Sequence, residues 1–128
     1  MSGPIQLDNA GRKDDHKKVR LDLLPPDALL EVGKVLTFGA DKYADRNWER
    51  GMDYGRVLGA SLRHTLAIMR GEDHDPETGL LHASHLACCA LFLAAFQLRG
   101  IGNDDRNKLK EVLAGGAGDG ILHTPLEG

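Results

Sequence analysis

The sequence predicts an all-α fold, a bundle of short helices, and three of its features lead to that prediction. Apolar residues recur at helical spacing in three segments, and one of these segments is apolar on nearly every side. No segment alternates apolar and polar residues as a half-buried strand would. A chain of 128 residues is the size of a single domain. Because such short helices enclose a small core, we expect the bundle to be completed by oligomerisation.

The first two helices are expected on either side of a polar stretch. Pro25-Pro26 can open the first helix, and Gly39 is a plausible stop. The second helix is expected from about Tyr54 to Arg70, with Gly71 ending it. The apolar stripes of the two helices are formed by Leu29, Leu30, Val32, Val35 and Leu36, and by Leu58, Leu62, Leu66 and Met69.

The third helix has the clearest pattern, and a fourth is weaker. The third is expected from about Thr78 to Arg99 and contains LACCALFLAAF, which predicts burial in the centre of the bundle or against another subunit. A short helix is expected around Asn103 to Leu113. The domain organisation that follows is a flexible N-terminal arm over residues 1–17, an all-α domain over 18–114 and a flexible C-terminal tail over 115–128.

The composition excludes several classes of function. Apolar residues make up 41% and charged residues 27%, and no segment has the length of a signal peptide or a membrane span, so we expect a cytoplasmic protein with no membrane partner. A formal charge of −3 argues against duplex nucleic acid as a partner. Cys88 and Cys89 are adjacent within the apolar helix, and we expect buried, reduced thiols there.

The polar stretch from Gly39 to Gly51 is the first candidate site. It holds two cations, an amide and two aromatic rings, which are groups that can bind phosphate, read the edge of a base and enclose it. These residues are Lys42, Tyr43, Arg46, Asn47 and Trp48. The alternative is a connector in which Trp48 packs on the core and the charges are solvated.

The loop between the second and third helices is the second candidate site. Four carboxylates lie within six residues there, and such crowding is relieved by water or by a cation such as Mg²⁺ or Mn²⁺. The carboxylates belong to Glu72, Asp73, Asp75 and Glu77, with His64 on the preceding helix and His82 and His85 on the following one. The alternative is a solvated bend in which Asp75-Pro76 opens a helix and the histidines are packing residues.

The order of these segments resembles a known family. Lys18-Val-Arg-Leu-Asp-Leu-Leu-Pro-Pro-Asp-Ala-Leu29 is followed by Phe38-Gly-Ala-Asp-Lys-Tyr43, Arg46-Asn-Trp48, Arg63-His64, Gly71-Glu72, Asp75-Pro-Glu-Thr-Gly-Leu80 and His82-Ala-Ser-His85. Over residues 18 to about 100 the chain is similar to the phage dATP/dGTP diphosphohydrolases, the MazZ-type branch of the MazG-like all-α pyrophosphohydrolases.

The resemblance implies a fold, a reaction and a biological setting. It implies a MazG-like helical bundle assembled as a homo-oligomer, a dimer or tetramer, in the cytoplasm of a phage-infected host. The implied reaction is metal-dependent hydrolysis of a purine deoxynucleoside triphosphate, dGTP or dATP, to the monophosphate and pyrophosphate. Family members of this type supply dGMP for DNA that contains 2-aminoadenine.

The sequence departs from the family in its metal ligands. MazG-like enzymes generally carry Glu-x-x-Glu on one helix and Glu-x-x-Asp on the next, whereas here Glu72-x-x-Asp75 is the only such carboxylate pair. His82-x-x-His85 occupies the expected ligand spacing on the third helix. Either the ligands have moved into the loop or the histidines substitute for carboxylates.

The resulting mechanistic hypothesis assigns three groups of residues. Glu72 and Asp75 hold Mg²⁺ or Mn²⁺ with help from Glu77, His82 or His85, and a carboxylate or His64 accepts the proton of the attacking water. The phosphates are neutralised by Lys42, Arg46 and Arg63, with Lys18 and Arg20 as contributors. The base pocket is formed by Tyr43, Asn47 and Trp48.

Two rival functions remain at this stage. An HD-type phosphohydrolase would use His64 and the pair His74-Asp75, but that family places its His-Asp pair on a helix, and Pro76 argues for a loop. A non-catalytic helical module would bind nucleotides without turnover. Pyrophosphate as the product would distinguish the diphosphohydrolase from both.

Overall fold

Three helices carry the fold of the region that the structure describes, residues 17–107 of a computed structural model. They are α1 (Pro26–Lys42), α2 (Tyr54–Met69) and α3 (His82–Arg99). Single 3₁₀ turns at Leu21–Leu23 and Asn47–Arg50 precede α1 and α2. Residues 17–107 contain no β-strand, only two isolated bridges, so the all-α prediction is confirmed there. The predicted arm up to residue 16 and the predicted tail lie outside the described residues.

Helix α3 is the central helix, as its apolar composition predicts. It packs against both α1 and α2, and each contact contains a cluster of buried side chains. Against α1 the cluster is Val32, Val35 and Cys88. Against α2 it is Tyr54, Val57 and Phe96, and Phe96 is completely buried.

Two predicted helix ends are wrong, and both errors have a local physical cause. Helix α1 continues through Gly39 to Lys42. Glycine inside a helix lowers the stability of the helix by only about 1 kcal/mol relative to alanine. The packing of the last turn of α1 can offset a loss of this size. Helix α3 begins at His82 rather than Thr78, because the Thr78 hydroxyl accepts the Leu80 amide and contacts the His85 ring, which holds the chain in a turn.

The predicted fourth helix is also wrong where it can be examined. Residues 103–107 are not helical, and the rest of that prediction lies outside the described residues. Asn103 pairs with the segment before α2: its carbonyl accepts the Tyr54 amide at 2.9 Å and its amide donates to Met52 at 3.1 Å. The Asp105 carboxylate then accepts the Gly55 amide at 2.7 Å, which satisfies a donor in the first turn of α2. The segment therefore caps α2 instead of forming a helix.

Much of the apolar stripe of α2 faces outward in the single chain. Leu62, Leu66 and Met69 are 62%, 51% and 75% exposed, whereas the buried positions of this helix are Tyr54, Val57 and Ala67. Leu91 and Leu98 on α3 are exposed as well. None of the described helices has the combination of length and apolar character that crossing a bilayer requires.

The two cysteines are free thiols, and we expect them to react slowly in the folded protein. Burial raises the pKa of Cys88 to about 12, and burial also raises the pKa of Cys89. Since the thiolate is the reactive form, only about one Cys88 in ten thousand is reactive at pH 8. Iodoacetamide should leave both thiols largely unmodified at pH 8 until the protein is unfolded in guanidinium. Rapid modification of one thiol in the folded protein would contradict this burial.

Candidate active site

A cavity of about 550 Å³ lies between α1, the chain that follows it and α3, and we call it the α1–α3 cavity. This volume suits a small-molecule ligand. Its lining is mainly apolar. Most of its polar side chains come from the last turn of α1, from the chain that follows α1 and from the loop before α3. It is lined by Val35, Leu36, Phe38, Gly39, Ala40, Lys42, Tyr43, Ala44, Arg46, Asn47, Trp48, Met52, Glu77, Thr78, His85, Cys88 and Phe92.

All five nucleotide-binding candidates in the Gly39–Gly51 stretch line this cavity. They are Lys42, Tyr43, Arg46, Asn47 and Trp48. Arg46 is the only non-glycine residue with positive φ in the described backbone, at 55°. A left-handed conformation costs an ordinary residue about 1–2 kcal/mol, and such strain is often found at binding sites. Here it reverses the chain after α1, so that Asn47 and Trp48 turn back toward α3.

Trp48 combines the two interpretations that the sequence left open. Its ring stacks on Phe92 at 5.1 Å between centroids with an interplanar angle of 16°, and it packs beside Phe96. The Arg99 guanidinium lies 5.1 Å from the ring centroid. The indole is therefore part of the α2–α3 core and also a wall of the cavity. A ring fixed in this way offers a rigid surface to a ligand.

The loop between α2 and α3 is held by its own hydrogen bonds, although most of its residues are exposed to solvent. One carboxylate oxygen of Asp75 accepts the amides of Glu77 and Thr78 at 2.7 and 3.2 Å. The backbone of Asp75 also pairs with Leu80 and Gly79, at 2.8 and 2.7 Å. His74 and Asp75 both lie in this loop, as Pro76 predicts, and not on a helix.

Three histidines and Asp75 meet where the loop joins α2 and α3, and we call His64, Asp75, His82 and His85 the histidine cluster. The Nδ1 atoms of His64 and His82 are 2.9 Å apart. His64 also stacks on His85, with 4.8 Å between ring centroids and an interplanar angle of 10°. One ligand atom each from His64, Asp75 and His82 lies within 4.8 Å of the others, so these residues form a group that could hold a metal ion after a small adjustment of side chains.

The surroundings of the cluster keep the imidazoles of His64 and His85 neutral and the carboxylate of Asp75 ionised. Burial lowers the pKa of His64 below its usual 6.5, and the adjacent His85 and His82 lower it further. Burial likewise lowers the pKa of His85, against an opposing effect of Asp75. Burial raises the pKa of Asp75, but the amide hydrogen bonds from Glu77 and Thr78, with the nearby histidines, outweigh it and leave the pKa below 3.8. Neutral imidazole and ionised carboxylate are the forms that bind metal.

The structure separates the two glutamates that the sequence assigns to one metal site. Glu72 accepts a hydrogen bond from Nε2 of His82 at 2.7 Å, so it contacts a histidine on the side facing away from His64. Glu77 lies at the cavity and forms an ion pair with Lys42 at 3.0 Å. The two carboxylates thus serve different parts of the site.

Three predicted phosphate-binding cations lie away from the lining of the cavity. Arg63 is exposed on α2. Lys18 and Arg20 are exposed before α1, and the Arg20 guanidinium is paired with Asp22 at 2.8 Å. No described contact brings any of the three to the cavity.

Several residues that shape the cavity were not predicted from the sequence. Phe92, Met52, Val35 and Cys88 line it, but apolar side chains in helical patterns are not distinguishable from core residues by sequence alone. Thr78 contacts the His85 Nε2 at 2.8 Å. The run Asp75-Pro-Glu-Thr was the available signal for this contact, since Asp and Thr side chains often stabilise turns.

Comparison with known sequences identifies the family. The family described as dATP/dGTP diphosphohydrolase, N-terminal, matches residues 8–106. The chain belongs to this family. This confirms the resemblance inferred above, whereas the more distant MazG-like relationship stays a prediction.

A curated family relative supports the same identification. The dATP/dGTP diphosphohydrolase of Salmonella phage PMBT28 is 42% identical over 83 residues, which make up 65% of this chain and 28% of that protein. The chain therefore spans less than a third of the length of the relative that it matches. No solved structure gives a significant match to the chain.

Proposed function

We propose that this chain hydrolyses dATP or dGTP to the deoxynucleoside monophosphate and pyrophosphate in the α1–α3 cavity. The observation that carries the proposal is the joining of the cavity to the histidine cluster through His85, which lines the cavity and stacks on His64. The family relative, named a dATP/dGTP diphosphohydrolase, supports the choice of substrate.

The cavity provides separate places for the base and the phosphates. Trp48 and Phe92 form a stacked aromatic wall that suits a purine. Asn47 lies at the same wall and can read a base edge with its amide. Lys42 and Arg46 also line the cavity, and they would neutralise the phosphate chain by exchanging their present partners Glu77 and Glu49 for phosphate oxygens.

The proposed reaction also uses a divalent cation near the histidine cluster. The sequence predicts that this cation is Mg²⁺ or Mn²⁺. The imidazoles of His64 and His82 and the ionised carboxylate of Asp75 are suitable donors for such an ion. A bound cation there would draw charge from the phosphates and lower the pKa of a water molecule. His85, kept neutral by burial and placed at the cavity, is the imidazole best located to accept the proton of the attacking water.

The test of this proposal is product analysis. The purified chain is incubated separately with the four deoxynucleoside triphosphates and Mg²⁺ or Mn²⁺, and the products are resolved by ion-exchange chromatography. We expect purine substrates to give monophosphate and pyrophosphate in equal amounts. Tripolyphosphate would favour the HD-type rival, and binding without turnover would favour the non-catalytic rival; either result contradicts the proposal.

Replacement of Lys42 by alanine should weaken substrate binding. Losing one hydrogen bond to a charged group should raise the KM for dGTP about 10- to 100-fold. Lys34→Ala is the matched control, because Lys34 lies on the same helix, pairs with Glu31 at 2.6 Å and does not line the cavity. Steady-state kinetics would contradict the assignment if KM were unchanged in Lys42→Ala or rose equally in Lys34→Ala.

We further propose that the chain works as a homo-oligomer, a dimer or tetramer. The exposed side chains of Leu62, Leu66 and Met69 support this proposal, since they lie at helical spacing on one side of α2. Light scattering of the wild-type chain should give a multiple of 13.9 kDa, and the double substitution Leu62→Glu and Leu66→Glu should reduce it. A monomeric wild-type chain at micromolar concentration would contradict this. Supply of dGMP for 2-aminoadenine DNA stays a prediction from the resemblance.

A further inference from the structure

The structure assigns a nitrogen-rich cation site within the histidine cluster, formed by His64 Nδ1, His82 Nδ1 and a carboxylate oxygen of Asp75, that selects transition-metal ions over Mg²⁺. The inference rests on the proposed function for its biological use, but its geometry is independent of any substrate. In this site His64 is a metal ligand and not the proton acceptor that the sequence predicts. Glu72 and Glu77, which the sequence predicts as ligands, do not contact the ion directly.

The spacing of the two ring nitrogens is the first observation that supports the site. His64 Nδ1 and His82 Nδ1 are 2.9 Å apart. An ion about 2.1 Å from two nitrogens at right angles to each other would hold them about 3.0 Å apart. The two nitrogens share an N–H···N hydrogen bond that His64 donates, and an ion could take its place once that proton moves to Nε2 of His64.

The second observation is the partner of His82. Its Nε2 lies 2.7 Å from the Glu72 carboxylate, so the ring donates its Nε2 proton there and directs the lone pair of Nδ1 toward His64. Histidine ligands in metalloproteins usually have such a carboxylate behind them. With only 4% of His82 exposed, packing fixes the ring in this orientation.

The third observation is the orientation of Asp75. One oxygen, Oδ1, accepts the amides of both Glu77 and Thr78, and these bonds hold the carboxylate against the loop. An oxygen of this group lies within 4.8 Å of ligand atoms of both histidines. Ligand atoms from α2, the loop and α3 thus lie close together. An ion held by three protein atoms retains positions for phosphate oxygens and water.

The donor set determines which ions bind. Imidazole nitrogen suits Zn²⁺, Ni²⁺, Co²⁺ and Fe²⁺, whereas Mg²⁺ prefers oxygen ligands and loses its water reluctantly. Mn²⁺ accepts both nitrogen and oxygen and binds more weakly than the later ions. We therefore expect the order Co²⁺ or Zn²⁺, then Mn²⁺, then Mg²⁺.

The test measures metal binding by the whole chain without nucleotide, so that its failure is distinct from failure of the proposed hydrolysis. Mn²⁺ is titrated into the protein and the free ion is followed by electron paramagnetic resonance. We expect one ion per chain and weakening of about 100-fold or more in His64→Ala, beyond the 10- to 100-fold usual for partners behind a ligand. His74→Ala is the control, an exposed histidine of the same loop, and should bind as the wild type does.

Two further measurements keep the test independent of folding defects. In the wild-type protein, diamagnetic Zn²⁺ should shift the imidazole NMR signals of His64 and His82 and leave that of His74 unchanged. A hundredfold excess of Mg²⁺ should not displace bound Mn²⁺ in the titration followed by electron paramagnetic resonance. Unchanged Mn²⁺ affinity in His64→Ala, equal Zn²⁺-dependent shifts of the His64, His82 and His74 signals, or displacement of Mn²⁺ by a hundredfold excess of Mg²⁺ would each overturn the inference.

Discussion

Replacement of Asp75 by asparagine should reduce turnover of dGTP by more than about a hundredfold while the helical circular dichroism spectrum stays unchanged. The reason is chemical: asparagine retains an oxygen that can accept the Glu77 and Thr78 amides, so the loop keeps its form. The substitution removes the ionised carboxylate from the histidine cluster, which removes both a ligand and the charge that attracts a cation.

Glu72→Gln provides the graded comparison for this prediction. Glu72 contacts Nε2 of His82, the ring nitrogen opposite the one that faces His64. Its replacement should therefore lower the turnover of dGTP about 10- to 100-fold, the range found for partners that orient a metal ligand. The account thus predicts a larger loss for Asp75→Asn than for Glu72→Gln. Steady-state rates at saturating metal would contradict it if Glu72→Gln were inactive while Asp75→Asn retained most of its turnover.

Replacement of Phe96 by alanine should give the largest loss of stability in the described fold. Phe96 is completely buried and packs with Tyr54 and Val57, and with the Trp48 ring that forms the cavity wall. Truncation of a buried phenylalanine costs about 3–5 kcal/mol, a large share of the free energy of unfolding of a small domain. Urea unfolding followed by circular dichroism measures this difference.

Leu98→Ala is the control for Phe96→Ala. Leu98 lies on the same helix two residues away and is 88% exposed, so its truncation should change the free energy of unfolding by no more than about 0.5 kcal/mol. Equal losses in the two variants would mean that α3 is buried on a different face. A loss below about 1 kcal/mol in Phe96→Ala would contradict the described core.

The sequence predicts the fold well where a helix end has a local signal. The start of α2 at Tyr54 and its end next to Gly71 are confirmed, as is the end of α3 at Arg99, which is followed by Gly100 with φ 68°. Glycine ends helices because it adopts this left-handed conformation without steric cost. These signals are contained within a few residues of sequence.

The sequence fails where a distant contact decides the structure. Asp105 caps α2 across 50 positions of sequence, and the predicted fourth helix is lost at residues 103–107 because Asn103 pairs with Met52 and Tyr54. The outward orientation of Leu62 and Leu66 is a similar case, since periodicity shows that a helix has an apolar side but not what covers it.

In the candidate site, too, the sequence predicts what depends on local spacing and misses what depends on distant contacts. The sequence indicates that His64, Asp75 and His82 belong together, because loop and helix spacing bring them near one another. It does not indicate that Glu72 contacts His82 while Glu77 contacts Lys42, because this depends on how α1 packs against the loop. Side chains clustered in sequence were separated by the fold.

The most direct test of the account is a crystal structure of the chain with Mn²⁺ and a dGTP analogue whose α,β-bridging oxygen is replaced by an imido group, so that it resists hydrolysis. We expect an anomalous peak between His64 and His82, the base against Trp48, and the phosphates between that peak and Lys42. A nucleotide bound outside the α1–α3 cavity, or manganese bound away from the histidine cluster, would contradict the account.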